Sequence, residues 1–167
     1  MKIAIISDLH DNEVYVQAFA SYCQKNKIEI ILCCGDVTND ETLILLNELN
    51  IPLYLIKGNA DIFNDTIFSS LKNITYLGRT GEIMLSDKKI GLCHEPFFIK
   101  TLLEKNYYII FYGHTHKPWV ESKHKTHIIN PGTLGGINSP STFAMWETHK
   151  PLPELIITTL HSKSPKL

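Results

Sequence analysis

Residues 1–10 read MKIAIISDLH, and residues 28–36 read IEIILCCGD. Each is a short, unbroken apolar run that ends on an aspartate. An apolar run of this length without alternation suits a strand buried on both faces, the environment of a parallel sheet. IPLYLI at 51–56 is a third such run. The segments between the runs change period. Asn12 through Lys25 carries Val14, Phe19 and Tyr22 among polar residues, and Asn39 through Leu49 carries Leu43, Leu46 and Leu49. Both spacings predict helices. Asn39 is placed to cap the second, with Glu41 and Thr42 in its first turn. The order strand–helix–strand–helix–strand predicts parallel strands joined by right-handed crossovers.

Further along, the elements shorten. Residues 64–72 suit a short helix. ITYL (74–77), GEIML (81–85) and KKIGLC (88–93) read as closely spaced strands, the last two joined as a hairpin across Ser86–Lys89. A short helix near 97–105 leads into YYIIFY (107–112), whose aromatic residues are placed for sheet packing. WVES, THIIN, TFAMWET and ELIIT follow as short strands between Pro, Gly and Ser. The expectation is one mixed α/β domain over 1–160, with two packed sheets, helices on the outer faces and a polar, frayed tail at 161–167.

The chain has 167 residues, 44% hydrophobic and 20% charged, with a net charge of −1. That composition is ordinary for a globular domain. No excess charge is available to hold nucleic acid, so a nucleic-acid partner is not expected. No stretch approaches a membrane span, and the first apolar run is too short for a signal-peptide core. The expected location is cytoplasmic. Cys23, Cys33, Cys34 and Cys93 form no C-x-x-C pair. They read as buried, reduced thiols, with Cys33 and Cys34 on opposite faces of one strand.

The chemistry lies where the apolar runs stop. The first ends in Asp8-Leu9-His10, the second in Gly35-Asp36, and the third in Gly58-Asn59-Ala60-Asp61. KKIGLC ends in His94, and YYIIFY ends in Gly113-His114-Thr115-His116. Five strands thus deliver Asp, Asn or His at their carboxyl ends, where open α/β sheets form their ligand crevice. Asp8 and His10 are two residues apart, as are His114 and His116. In an extended segment such pairs project to one side, so each pair is expected to grip one object. Glycines before the ligands let the backbone turn and approach closely. Mixed imidazole and carboxylate ligation suits Mn, Fe, Co, Ni or Zn better than Mg or Ca. Seven donors are too many for one such ion, and two ions sharing a carboxylate account for them. The resulting positive centre attracts an anion, and a small phosphate ester is the obvious candidate.

D-x-H, G-D, G-N-x-D, a lone His and G-H-T-H, in this order, resemble the calcineurin-like metallophosphoesterase superfamily. The short length and Asn130-Pro131-Gly132 resemble its small, YfcE-like phosphodiesterase branch. The resemblance runs from Lys2 to about Trp146. It implies a four-layer αββα sandwich with two mixed β-sheets. It implies that Asp8, His10 and His116 hold one metal, that Asn59, His94 and His114 hold the second, and that Asp36 bridges them. It implies hydrolysis of phosphodiesters or phosphomonoesters, often with manganese, by in-line attack of a metal-bridging hydroxide. Asp36, Asn59 and His94 would then be catalytic. Two departures stand out. Many members carry a histidine where this chain has Ala60, and the branch reads H-G-H where this chain has His94-Glu95-Pro96. The alternative is a metal-poor protein-binding scaffold of the same fold, like the retromer subunit. Relatives often pair, so a homodimer is a possible partner state.

Other residues have two readings each. Asn12 is either the cap of the first helix or a substrate phosphate contact, or both. Asp61 is a helix cap or surface residue, or an acceptor that orients a ligating histidine. Residues 130–136 form a structural turn or a backbone nest for an anion. His124, His127, His149 and His161 read as surface residues, with His127 nearest that loop. Lys117, Lys123 and Lys125 read as solvated.

Overall fold

The computed structural model describes residues 1–158. The expectation for the tail, His161 included, lies outside the described residues. The first half winds as anticipated: β1 (Lys2–Ile6), α1 (Glu13–Asn26), β2 (Ile30–Cys33), α2 (Asp40–Asn47), β3 (Leu53–Leu55), a 3-10 turn (Asp65–Ser69) and β4 (Ile74–Tyr76). These four strands pair in parallel. The second half gives β5 (Thr80–Leu85), β6 (Lys88–Cys93), a 3-10 turn (Pro96–Phe98) running into α3 (Ile99–Leu103), and β7 (Ile109–Phe111). It closes with β8 (Trp119–Lys123), β9 (Thr126–Asn130), β10 (Thr142–Glu147) and β11 (Glu154–Ile157).

Two mixed sheets result. One has six strands in the order β11-β10-β1-β2-β3-β4, the other five in the order β5-β6-β7-β9-β8. β10 returns antiparallel to β1, and β6, β7 and β9 run parallel. The unbroken apolar runs follow from burial on both faces. In β1, Ile3 and Ile5 face the layer between the sheets, while Ala4 and Ile6 face α1 and α2. All four are fully buried, and each of the three isoleucines contributes about 1.5–3 kcal/mol. Cys33 and Cys34 split between the same two layers, and all four cysteines are buried and free.

The architecture is the αββα sandwich, with unequal outer layers. α1 and α2 cover the first sheet, whereas the second is covered by α3 and its preceding turn, with Ile99 and Leu102 on Ile110 and Ile128. Within α1 the buried row is Val16, Phe19 and Cys23. Val14, expected in the core, is 58% exposed. It lies two positions before Val16, about 200° around the helix. The hairpin connection is only Ser86-Asp87, both left-handed (φ 48° and 60°), which fits a two-residue turn. Lys88 and Lys89 already belong to β6. Among the described residues no helix is long and apolar enough to cross a membrane.

Candidate metal centre

The five ligand-bearing strands lie in two sheets rather than one. β1, β2 and β3 supply Asp8, His10, Asp36 and Asn59, and β6 and β7 supply His94, His114 and His116. Their carboxyl ends meet at one end of the sandwich. The loops are laced together by the backbone: Asp8 N donates to the Gly35 carbonyl at 3.0 Å, and His10 N donates to the Asp36 carbonyl at 3.0 Å. Gly113 N donates to the His94 carbonyl at 3.1 Å. Two glycines permit the approach. A Cβ at Gly58 would sit on the Asp36 carboxylate. One at Gly113 would strike the Ser7 hydroxyl and lie 2.9 Å from Asp8 Oδ2.

The side chains form two adjoining clusters. In the first, His116 Nε2 lies 3.2 Å from Asp8 Oδ1 and 3.1 Å from His10 Nε2. In the second, the Asn59 side-chain oxygen lies 3.0 Å from His94 Nε2 and 2.7 Å from His114 Nδ1. Asp36 Oδ2 stands between them, 3.2 Å from His94 Nε2 and 3.8 Å from His10 Nε2. Asp8, His10 and His116 are one group whose donor atoms could hold an ion, and Asp8, Asp36 and His94 are another. Asp8, Asp36 and His94 form a buried floor (0%, 2% and 0% exposed). Asn59 and His114 are open to solvent.

The expectation that each i, i+2 pair grips one object is corrected for the histidines. His114 joins the Asn59 cluster and His116 joins the Asp8 cluster. The reason is the backbone. Asp8, His10, His114 and His116 are not extended but left-handed, with φ of 54°, 46°, 70° and 58°, so the period of two does not apply.

The electrostatics call for cations. His94 Nδ1 lies 2.7 Å from the Cys34 carbonyl and His116 Nδ1 lies 3.1 Å from the Ile137 carbonyl. A carbonyl only accepts, so these nitrogens carry the ring protons. Each inner Nε2 then directs a lone pair at carboxylate oxygen, a repulsive contact unless a proton or a metal intervenes. Imidazoles that give their outer N–H to a backbone carbonyl are arranged as metal ligands are. Burial opposes a proton on His94, yet the hydrogen bond and charge of Asp36, with Asp8 and the Cys34 carbonyl, outweigh it and raise its pKa. Burial opposes the Asp36 charge too, but the hydrogen bond and charge of His94, the Ala60 N–H and His10 hold it below the usual carboxylate range. For Asp8 burial wins and pushes the carboxyl up, against the pull of His94, Ser7 and His116.

Several supporting residues differ from their sequence readings. Asp61 is neither cap nor surface residue: it is 8% exposed and accepts from the backbone N–H groups of Asp36, Thr38 and Gly58. It thereby ties the β2 and β3 loops together. Asn12 occupies the N-cap position of α1 without a side-chain cap bond, and its Nδ2 donates to the Gly135 carbonyl at 2.8 Å. Residues 130–136 are a structural turn rather than an anion nest, because Leu134 N and Gly135 N donate to the carbonyls of Ser7 and Asp8. Asn130 was read only as part of the 130–136 turn and the Asn-Pro-Gly resemblance; it donates to the Gly113 carbonyl and to Thr115 Oγ1, fixing the G-H-T-H loop. His127 pairs with Ser122 Oγ instead of reaching that loop.

A family model described as the calcineurin-like phosphoesterase superfamily domain matches residues 1–151. The chain belongs to this superfamily. The probable metallophosphoesterase MJ0623 of Methanocaldococcus jannaschii is 30% identical over 146 residues, which are 80% of this chain and 68% of that protein. Among solved structures, a novel archaeal phosphodiesterase superposes with a TM-score of 0.84 at 22% identity, covering 94% of this chain and 99% of its own. YfcE, a phosphoesterase from E. coli, gives 0.68 at 17%, covering 95% and 100%. Zinc-complexed Vps29 from Entamoeba histolytica gives 0.70 at 19%, also covering 95% and 100%. At these identities the structural likenesses establish the fold. The family is one of metal-dependent phosphoesterases, and this chain has donor groups placed to bind metal.

Proposed function

We propose that the chain is a dinuclear metal-dependent phosphodiesterase acting on small phosphate esters. Asp8, His10 and His116 would hold one divalent ion, Asn59, His94 and His114 would hold the second, and Asp36 would serve both. Manganese is the first choice, with Ni, Fe, Co or Zn as alternatives of similar ligand preference. A pair of such ions supplies activation of water and neutralisation of phosphoryl charge for in-line displacement. The chain's own residues do the rest. Asp36 and Asp8 keep the two clusters at a fixed separation. The backbone carbonyls of Cys34 and Ile137 hold His94 and His116 in the tautomer whose inner nitrogen can ligate. Asn59 and His114, on the solvent side, are the residues an incoming ester meets first.

The observation that carries this reading is the convergence of seven imidazole, carboxylate and amide donors, two of the imidazoles giving their outer N–H to backbone carbonyls and turning their inner nitrogens to buried carboxylates, as metal ligands do. Purified protein supplied with Mn is expected to hydrolyse bis(p-nitrophenyl) phosphate, and Asp36→Ala, verified as folded by circular dichroism, is expected to abolish turnover. Undiminished turnover in that variant would overturn the mechanism. The Vps29-like scaffold reading is tested by elemental analysis together with turnover: stoichiometric tightly bound metal favours the enzyme, metal without turnover on any phosphate ester favours the scaffold, since a Vps29 also takes zinc, and all seven donor positions retain ligating residue types.

A further inference from the structure

The chain contains a single arginine, Arg79, and its placement is specific. β5 sends Ile83 and Leu85 into the layer between the sheets, and Gly81 continues that row. Across the hairpin Gly81 pairs with Leu92 and Thr80 with Cys93. One further step along the row, beyond the last apolar layer, lies Arg79. Just past the last ladder pair, Thr80 with Cys93, the two chains continue as Arg79 on one side and His94 on the other. The preceding turn is fixed from the other side. Gly78 is left-handed (φ 80°), and its carbonyl accepts from Lys57 N at 2.7 Å, two residues before Asn59. Arg79 therefore emerges between two loops that carry candidate ligands.

Its guanidinium is held there by one contact. Nη1 lies 3.3 Å from Glu95 Oε1. The Arg79 side chain is 61% exposed, while that of Glu95 is 10% exposed. The second Glu95 oxygen is buried without a hydrogen-bond partner. A carboxylate buried beside a ligand loop and satisfied on one side is a costly arrangement. It occurs where the resembling branch has the glycine of H-G-H. What it achieves is a guanidinium tethered to the residue that follows the candidate ligand His94, with more than half of its side chain open to solvent. Such a fork matches phosphate oxygens in pairs. The reacting phosphorus must approach Asp36, which is 2% exposed. A guanidinium tethered to Glu95, outside the cluster of candidate ligands, is placed for a different part of the ligand.

We propose, on the basis of the phosphodiesterase reading above, that Arg79 is a specificity-determining residue. It binds a second phosphate on the substrate, distal to the reacting phosphorus. Glu95 is the positioning residue that keeps the guanidinium at the rim. The substrate class is a phosphodiester that also carries a terminal phosphate.

The test is a matched pair: the 5′-p-nitrophenyl ester of thymidine 5′-phosphate, with and without a 3′-phosphate. The Mn-loaded enzyme is expected to favour the 3′-phosphorylated ester in kcat/KM by about tenfold or more, the value of one charge-assisted pair. Arg79→Gln is expected to bring the ratio close to one through KM rather than kcat. Arg79→Lys is expected to restore part of it, and Glu95→Gln to lower it partially. A second measurement needs no turnover. Calorimetric titration of the Mn-loaded protein with thymidine 3′,5′-bisphosphate and thymidine 5′-phosphate is expected to show the same preference, lost in Arg79→Gln. A ratio of one in the unaltered protein, or an unchanged ratio in Arg79→Gln, overturns the proposal. A binding preference that depends on Arg79, with neither ester hydrolysed, would overturn the phosphodiesterase reading and leave the role of Arg79 standing.

Discussion

Asp8, His10, Asp36, His114 and His116 share a left-handed backbone, a conformation that costs an ordinary residue on the order of 1–2 kcal/mol. The cost is borne because neighbouring backbone locks each turn: Asp36 gives its carbonyl to both Leu9 and His10, and Asp8 accepts from His114 N. Gly58 completes that lock. Gly58→Ala would push its methyl onto the Asp36 carboxylate, costing about 1–3 kcal/mol in stability. The larger expected effect is on metal, with content measured by elemental analysis falling along with turnover while the far-ultraviolet circular dichroism persists. Ala60 carries a separate prediction. Nothing at that position can protonate a leaving group. The enzyme is therefore expected to favour aryl over alkyl esters. Ala60→His is expected to raise kcat for an alkyl diester on the order of 10²-fold, with little change for a p-nitrophenyl diester, as measured by chromatography of the released alcohol and by nitrophenolate absorbance. Residue identity at this scale was legible, because Asp, Asn and His each stood at the end of an apolar run. Residue geometry was not. The left-handed turns depend on hydrogen bonds between loops more than twenty residues apart, such as His10 N to the Asp36 carbonyl, and no local spacing encodes those.

At the scale of elements, β1, β2 and β3 were readable because both faces are buried and the run of Ile and Leu has no polar interruption. α2 was readable through its cap: Asn39 Oδ1 accepts from Thr42 N at 3.0 Å. α1 was readable as a helix but not in its facing, because Val14 and Val16 offer competing rows and only the packing against β10 chooses. Phe19 marks the chosen row. It is fully buried and meets Phe143 edge-on at 5.2 Å. Phe19→Ala is expected to cost about 3–5 kcal/mol in urea unfolding, whereas Val14→Ala should fall within about 0.5 kcal/mol of the unaltered protein. The thiols report on the same layers. Burial pushes Cys23 and Cys93 up to about 12 and Cys34 well above its ordinary value. Treated with Ellman's reagent at pH 8, the folded protein is expected to leave all four thiols unreacted, and guanidinium to release four. Rapid labelling without denaturant would contradict the packing of α1 and β2.

For the molecule as a whole, what no local pattern could supply is which strand neighbours which. β10 joins β1 from about 140 positions away, through Ile3 opposite Trp146, and the sheets meet face to face through side chains of both halves. The consequence is mechanical as well as chemical. Asp8, His10, Asp36 and Asn59 stand on one sheet and His94, His114 and His116 on the other. An ion bound to both groups is a cross-link between the sheets, absent from the unfolded chain. Ligand binding to the native state alone stabilises it by about 2.7 kcal/mol at one hundred times the dissociation constant. For a chain of this size that corresponds to a rise of roughly 5–10 °C in Tm. Differential scanning calorimetry is expected to show that rise on adding Mn to chelator-stripped protein and its reversal by EDTA. His94→Ala removes the buried ligand from the second sheet, and its metal-dependent rise is expected to shrink to less than half. His149→Ala, on the exposed turn after β10, should keep the full rise. An equal rise in all three proteins would mean that the metal binds elsewhere and does not bridge the sheets.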